Sequence, residues 1–258
     1  MTELEPDWMR YGEPIRLDNP TDSRAIVLGM VPDGVDVLEL GCSVGYMTRV
    51  MHERGSRIVG VEIDPEAARH AEPYLDRLIV GDLDVEPLVD DLPAASFDLV
   101  LAADVLEHLR DPAACLRSLI RLLRPTGSII ISVPNVAHVD VRLELLDGRF
   151  RYRENGLLDR THVKMYTLEE LSDLLATVDL VPTRWRPNRR PLATTEIAVD
   201  DRARAFGELI VEADPEADVY QWIVVCRPAA AGVDPAAPDI GPNRVGSTLA
   251  DLTRRDQP

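Results

Sequence analysis

The chain has 258 residues, is 45% hydrophobic and carries a formal net charge of −17, so it can bury a sizeable core. The negative charge argues against nonspecific nucleic-acid binding, because contacts with phosphates need clustered Lys and Arg. No basic stretch precedes an N-terminal apolar run, and no apolar segment approaches ~20 residues, so neither a signal peptide nor a membrane span is expected. Cys42, Cys115 and Cys226 are far apart and form no CxxC pair, which favours a reducing, cytoplasmic location.

The first predicted elements are a helical lead-in, a strand and a turn of small residues. Residues 1–30 form the lead-in, and the apolar run 37–40 predicts a buried strand. The turn is followed by a helical pattern that stops at Gly55, and the next strand, 57–61, ends in Glu62. An acid there can accept hydrogen bonds from both hydroxyls of a ribose. A Gly-rich turn followed by such an acid is the nucleoside-binding arrangement of a doubly wound sheet.

Strand and helix signals alternate along the rest of the chain. Apolar runs predict further strands at 78–80, 97–101, 123–132 and 219–225. Capping residues predict the starts of three helices, at Asp64-Pro65, Asp111-Pro112 and the capping box that begins with Thr167. The repeated alternation predicts an α/β fold, with a doubly wound, mostly parallel sheet that has helices on both faces.

Three segments do not follow this alternation. Insertions near 135–166 and 187–215 follow late strands and are well placed to cover a substrate, since ligands of open α/β sheets bind beyond the carboxyl ends of the strands. The main domain is therefore expected to span residues 31–227. Residues 228–258 show little periodicity and are predicted to form a disordered tail.

The turn after the first strand carries the most specific motif. Its spacing is E-x-G-x-S-x-G, formed by Glu39, Gly41, Ser43 and Gly45. This resembles motif I of the Rossmann-like methyltransferases that depend on S-adenosyl-L-methionine (SAM), with Ser43 in place of the middle glycine. Its glycines are expected to let the backbone approach a ligand closely. The resemblance covers roughly residues 30–180 and implies a seven-stranded sheet, SAM as cofactor and an O-methyltransferase-like activity.

The same resemblance implies which side chains hold the cofactor. Glu62 should bind the ribose hydroxyls, while Asp82 and Leu83, after the third strand, should meet the adenine. Ala102, at the end of the fourth strand, completes the implied cofactor-binding set together with the residues of the first turn.

Asp104, Glu107 and His108 follow the fourth strand at positions i, i+3 and i+4. On a helical turn they would share one face, and two carboxylates with an imidazole can bind a divalent metal. His162, in the first insertion, is a fourth candidate ligand. Asp104, His108 and His162 are therefore also the candidate catalytic residues. Carboxylate ligands would favour Mg²⁺, and imidazole ligands would favour Mn²⁺ or a similar ion.

This run resembles those of small-RNA 2′-O-methyltransferases and of ubiquinone-pathway O-methyltransferases, which implies a metal beside the acceptor hydroxyl. Two other roles stay open: His108 can be a metal-free general base, or the Glu-His pair can be purely structural. Residues 62–64, 81–84 and 132–138 also resemble the W-type proteins of methionine biosynthesis. Those proteins keep the methyltransferase fold but assist a partner enzyme, so methyl transfer would discriminate the two classes.

The preferred interpretation is O-methylation of a small-molecule hydroxyl. The acceptor would be a sugar or phenolic group of a secondary metabolite or envelope glycan, because residues 134–135 and 160–162 resemble bacterial enzymes of that kind. Neither nucleic acid nor a membrane is expected as a partner, and a homodimer stays open.

Overall fold

The computed structural model describes residues 15–85, 91–229 and 233–238, so the first part of the predicted lead-in lies outside the described residues. The helices are α1 (Ser23–Leu28), α2 (Tyr46–Glu53), α3 (Pro65–Ala71), α4 (Pro112–Ile120), α5 (Val139–Leu146), α6 (Leu168–Thr177) and α7 (Asp201–Ala213). The strands are β1 (Asp36–Leu40), β2 (Arg57–Glu62), β3 (Arg77–Val80), β4 (Phe97–Ala103), β5 (Leu123–Pro134), β6 (Leu180–Trp185), β7 (Asn188–Arg189) and β8 (Val219–Pro228). Short 3₁₀ turns cover Glu72–Tyr74 and Leu106–His108.

Three helices begin where their capping residues predict. Asp64, Asp111 and Thr167 directly precede α3, α4 and α6. In each case the side-chain oxygen accepts a hydrogen bond from a backbone amide of the first turn, at 2.8, 2.9 and 3.2 Å respectively. These bonds satisfy amides that have no partner inside the helix, and proline follows two of the caps.

The sheet has the order β3-β2-β1-β4-β5-β8-β6. The strands from β3 to β5 pair in parallel, whereas β8 runs antiparallel to both β5 and β6. The predicted α/β, doubly wound and mostly parallel fold is therefore confirmed. The sheet has eight strands because the two-residue strand β7 also pairs with β8, in addition to the expected seven.

Side chains alternate between the two faces of the sheet along each central strand. On one face, Val37 and Leu99 pack with residues of α1 and α2. On the other face, Leu38 and Val100 pack with residues of α4 and α6. Both faces are thus covered, which explains why these strands are nearly continuous apolar runs. No helix in the described part of the chain is long and apolar enough to cross a lipid bilayer.

The two predicted insertions pack against each other. Asp140, at the start of α5, is buried and accepts hydrogen bonds from the Ala193 amide at 2.9 Å and the Thr195 hydroxyl at 2.6 Å. Leu157 of the first insertion and Ile197 of the second share one buried apolar cluster. The insertions consequently form one layer against the carboxyl-terminal part of β5 and the start of β8.

Residues 233–238, which belong to the predicted disordered tail, pack on β6. The Ala236 amide donates to the Pro182 carbonyl at 2.7 Å, and the Ala236 carbonyl accepts from the Trp185 indole at 2.8 Å. Ala236 also contacts the main apolar cluster. The prediction of a tail free of the domain is wrong for this segment, because it supplies an acceptor for a buried indole. Residues 239–258 lie outside the described residues.

Removing residues 229–258 is expected to lower the melting temperature by a few degrees, whereas removing 239–258 should leave it unchanged. The larger deletion removes the hydrogen bond of the Trp185 indole and the apolar contact of Ala236, and one lost hydrogen bond costs about 0.5–1.5 kcal/mol. Residues 239–258 contain few large apolar groups. Calorimetry of the two truncated proteins checks this, and equal melting temperatures would show that the contacts of Ala236 contribute nothing.

Candidate functional site

A cavity of about 540 Å³ lies beyond the carboxyl ends of β1, β4 and β5. The loop after β1 and the end of β4 line one side of it, and the two insertions and β8 line the other. The lining residues that matter below are Arg24, Gly41, Ser43, Tyr46, Asp104, Glu107, His108, Asp159, His162, Arg190, Tyr220 and Gln221. This is the position where open α/β sheets bind their ligands.

The loop between β1 and α2 bends through three residues with left-handed backbone, Gly41 (φ 63°), Ser43 (φ 49°) and Gly45 (φ 84°). Gly41 and Ser43 line the cavity. Gly45 is buried, and a Cβ there would lie 2.9 Å from the Cα of Ala71 on α3. The absence of a side chain at Gly45 lets the loop pack closely on α3.

Glu62 ends β2 and holds the same loop. One carboxylate oxygen accepts from the Ser43 amide at 2.8 Å, and the other accepts from the Ile63 and Asp64 amides at 2.8 and 2.9 Å. The side chain is 8% exposed. A carboxylate has about four acceptor positions, so one remains for a further donor in this conformation. Glu62 therefore shapes the loop in addition to any contact with a ribose.

Glu39 and Ala102 do not reach the cavity, which corrects the sequence prediction of direct cofactor contact. Glu39 is 1% exposed and accepts a hydrogen bond from the Thr48 hydroxyl at 2.7 Å. Burial raises the pKa of Glu39 to about 8. Ala102 is fully buried, and its neighbour Ala103 lines the cavity instead. The side chains alternate along β4, so a shift of one residue changes the face on which a side chain lies.

Asp82 and Leu83 follow β3, beside the end of β2. The Gly81 amide donates to the Glu62 carbonyl at 2.9 Å, which fixes this turn next to the predicted ribose-binding carboxylate. One oxygen of Asp82 accepts from the Asp84 amide at 2.8 Å. Leu83 packs against the main apolar cluster. Asp82 and Leu83 are half-buried and do not line the cavity in this structure.

Asp104 does not share a helical face with Glu107 and His108, so this part of the prediction is wrong. It has left-handed backbone (φ 55°) and precedes a 3₁₀ turn that begins only at Leu106. One Asp104 oxygen accepts from the Ser132 hydroxyl at 2.8 Å and from the Gln221 amide at 2.7 Å. These bonds tie Asp104 to β5 and β8, which is why the chain does not continue there as a regular helix.

Glu107, His108 and His162 do come together. One potential ligand atom of each lies within 4.8 Å of the others, and the two imidazole rings are 5.0 Å apart. Glu107 is 1% exposed, yet its Oε2 atom has no hydrogen-bond partner, and Nδ1 of His162 is also buried and unpartnered. Buried polar atoms are normally hydrogen-bonded, so these two atoms can accept a further partner, either an ordered water or an ion.

Backbone contacts hold these residues of the 3₁₀ turn and the first insertion together. The Glu107 carbonyl accepts from the Val163 amide at 2.8 Å and the Lys164 amide at 3.0 Å. Nδ1 of His108 lies 3.3 Å from the Thr161 carbonyl. Since a carbonyl only accepts, Nδ1 of His108 carries the proton and Nε2 carries the lone pair in the neutral ring.

The electrostatics of the site follow from its burial. Loss of solvent raises the pKa of Glu107 well above its ordinary value and lowers the pKa of His162 to about 4. Asp104 is open to the cavity but enclosed by protein on its other sides, and this desolvation raises its pKa too. His162 is consequently neutral at pH 7 and keeps the lone pair that a metal ligand needs.

Sequence reasoning missed many residues of the cavity, among them Tyr46, Arg190, Tyr220 and Gln221. For Gln221 a signal exists, because it is a polar residue within the otherwise apolar core of β8. Arg190 has no local signal, since its position depends on how the second insertion packs against β8.

Known proteins resemble this chain in sequence and in fold. Residues 16–183, more than half of the chain, match the family model of a methyltransferase domain. A probable SAM-dependent methyltransferase of Mycolicibacterium smegmatis is 32% identical over 146 residues, which cover 56% of this chain and 51% of the relative. The ubiquinone biosynthesis O-methyltransferase of Xanthomonas axonopodis pv. citri is 31% identical over 127 residues, which cover 48% of this chain and 53% of that one. The chain thus spans about half the length of these curated relatives.

A solved structure, that of a SAM-dependent methyltransferase from Mesorhizobium loti, has the same fold. The TM-score is 0.53 at 20% identity, and the match covers 82% of this chain and 100% of that one. At this identity the likeness shows the fold alone, while the domain model shows the family. The chain therefore belongs to the class I, Rossmann-like family of SAM-dependent methyltransferases.

Proposed function

We propose that the protein transfers the methyl group of SAM to a hydroxyl oxygen of a small molecule, with the help of a divalent ion. The observation that carries this proposal is the pair of buried, unpartnered atoms Glu107 Oε2 and His162 Nδ1, beside His108. The acceptor is a sugar or phenolic group rather than a nucleic acid, because the formal charge of −17 opposes binding to the repeated phosphates of a nucleic-acid backbone.

The chemistry of the three side chains fits a divalent ion. A carboxylate oxygen and two neutral imidazoles suit Mn²⁺ and related ions better than Mg²⁺, which prefers oxygen ligands. Asp104 lies outside this group, and its hydrogen bonds to Ser132 and Gln221 give it a supporting role. A cation at this position would also supply the opposite charge that the buried carboxylate of Glu107 lacks.

Each part of the site has a distinct task in this proposal. The cofactor supplies a reactive methyl group, and the ion would lower the pKa of the acceptor hydroxyl and fix its oxygen. Glu107, His108 and His162 hold the ion, with Thr161 orienting the His108 ring through its carbonyl. Glu62 orients the ribose. The insertions exclude water from the reacting atoms.

A second candidate is metal-free catalysis by His108. The ring is exposed to the cavity, and its bond to the Thr161 carbonyl leaves Nε2 free to accept a proton from the acceptor. This alternative predicts turnover that resists chelators and depends on pH through His108.

Native mass spectrometry with SAM and a panel of divalent ions, followed by assay of S-adenosylhomocysteine (SAH) release with catechol and sugar acceptors, tests the proposal. We expect the mass of one SAM per chain, added mass from Mn²⁺ or a related ion, and release that requires both. SAM binding without turnover on any acceptor, but with a co-purifying partner enzyme, would favour the accessory role of the W-type proteins. Absence of SAM binding would contradict the proposed activity itself.

A further inference from the structure

Two arginines line the cavity, and they differ in their surroundings. Arg24 forms a bidentate pair with Asp22, at 3.0 and 2.8 Å. Arg190 has no carboxylate partner among the described residues, and its guanidinium lies over the ring of Tyr220, 4.1 Å from the centroid. Among the described residues, no carboxylate pairs with the guanidinium of Arg190, so its N–H donors face the cavity without an anionic partner.

Arg190 is held firmly in this position. Its amide donates to the Asp218 carbonyl at 2.8 Å, and its carbonyl lies 2.9 Å from Nε2 of the buried His138. The Tyr220 ring beneath it is 8% exposed, and its hydroxyl bonds to Glu196 at 3.3 Å. A guanidinium that is already held on an aromatic ring loses little conformational entropy when a ligand binds. The binding free energy is therefore reduced less than it would be for a mobile arginine.

Three of the carboxylates that line the cavity have partners other than Arg190. Asp22 is paired with Arg24. Asp159 accepts hydrogen bonds from the amide and hydroxyl of Thr161, at 2.8 and 2.6 Å. Asp104 is held by neighbouring side chains of β5 and β8. These acids have their own partners, and the donors of Arg190 remain available to a bound molecule.

We propose that the acceptor carries an anionic group, a carboxylate or a phosphate, which Arg190 binds while the reacting hydroxyl lies near Glu107 and the two histidines. This rests on the proposed function, because it specifies the substrate class of the same cavity. The planar fork of a guanidinium matches two oxygens of such a group, which a lysine cannot reproduce. Arg190 is accordingly a specificity-determining residue.

Calorimetric titration of matched probes into the SAH-saturated protein tests this assignment. Protocatechuate against its neutral amide represents the carboxylate, and a glucose phosphate against glucose represents the phosphate. In at least one pair, the anion should bind about tenfold to hundredfold more tightly than the neutral probe. Arg190→Gln should remove this preference and keep the affinity for SAH and the neutral probe, whereas Arg190→Lys should restore part of it.

Arg184→Gln is the matched control, since Arg184 is exposed on β6 and does not line the cavity. It should leave every affinity unchanged. The inference is overturned if neither pair shows a preference for the anion, or if the preference survives Arg190→Gln. It is also overturned if Arg190→Gln weakens SAH by the same factor, which would assign Arg190 to the carboxylate of the cofactor. Failure of the wild-type protein to bind SAH would instead contradict the proposed function.

Discussion

His162→Ala is expected to lower methyl transfer at least about hundredfold and to abolish high-affinity binding of Mn²⁺, while the affinity for SAM stays the same. The Nδ1 atom of His162 is buried without a hydrogen-bond partner beside Glu107 and His108, so its removal deletes one of the proposed ligands. Loss of the ion would leave the acceptor hydroxyl protonated and poorly positioned, and each effect is worth orders of magnitude in rate. Addition of a chelator to the wild-type protein should have the same result.

Three further variants make this prediction specific. His108→Ala should behave like His162→Ala, and His52→Ala is the matched control because His52 is exposed on α2 and does not line the cavity. Glu107→Gln keeps the shape of the side chain but loses the charge. Because burial disfavours the ionised form of Glu107, the metal-free Gln variant should melt no lower than the wild type, although it binds metal weakly.

Calorimetric titration with Mn²⁺ and SAH release with a catechol acceptor provide the two measurements. Turnover that survives chelation but disappears in His108→Ala, with normal activity in His162→Ala, would contradict the metal site and favour a lone histidine base. Equal losses of turnover and of Mn²⁺ affinity in His162→Ala, His108→Ala and Glu107→Gln would support the metal site, provided that a chelator also stops turnover by the wild-type protein.

Much of the fold was predictable because its signals are local. Caps at Asp64, Asp111 and Thr167 begin the helices that they precede, since the capping bond spans only two or three residues. The apolar runs of β1 and β4 are strands buried on both faces, a pattern that parallel sheets impose. The sequence also predicted that His162 lies close to the residues after β4, because insertions after late strands cover this edge of the sheet.

The remaining features depend on contacts between distant residues. Asp104 has left-handed backbone, and its carboxylate accepts hydrogen bonds from Ser132 and Gln221. The spacing between Asp104 and His108 in the sequence does not predict these bonds, because both partners are distant in the chain. Arg190 reaches Tyr220 only after the second insertion packs on β8. The packing of residues 233–238 was not predicted for the same reason, since an aperiodic segment rich in alanine and proline can still supply one acceptor to a buried indole.

Glu62→Ala is expected to weaken SAM binding by about 2–4 kcal/mol, or roughly thirtyfold to a thousandfold. The acceptor position that remains on the Glu62 carboxylate would give one charge-assisted hydrogen bond to the ribose, about 1.5–3 kcal/mol, and the loosened loop after β1 would add the rest. The structure gives Glu62 a second task, because its carboxylate accepts from the amides of Ser43, Ile63 and Asp64. Its removal therefore loosens the loop after β1 as well, and the two contributions need to be separated.

A SAH analogue without the two ribose hydroxyls separates them. If Glu62 binds the hydroxyls, the analogue loses affinity relative to SAH in the wild-type protein, but the two ligands bind Glu62→Ala about equally. The residual weakening shared by both ligands then measures the contribution of Glu62 to the loop. Glu66→Ala is the matched control, since Glu66 is an exposed carboxylate on α3 that pairs with Arg69 at 2.8 Å. Wild-type affinity of Glu62→Ala for SAH, or an equal loss with the analogue in both proteins, would remove the ribose assignment and leave Glu62 as a residue that only shapes the loop.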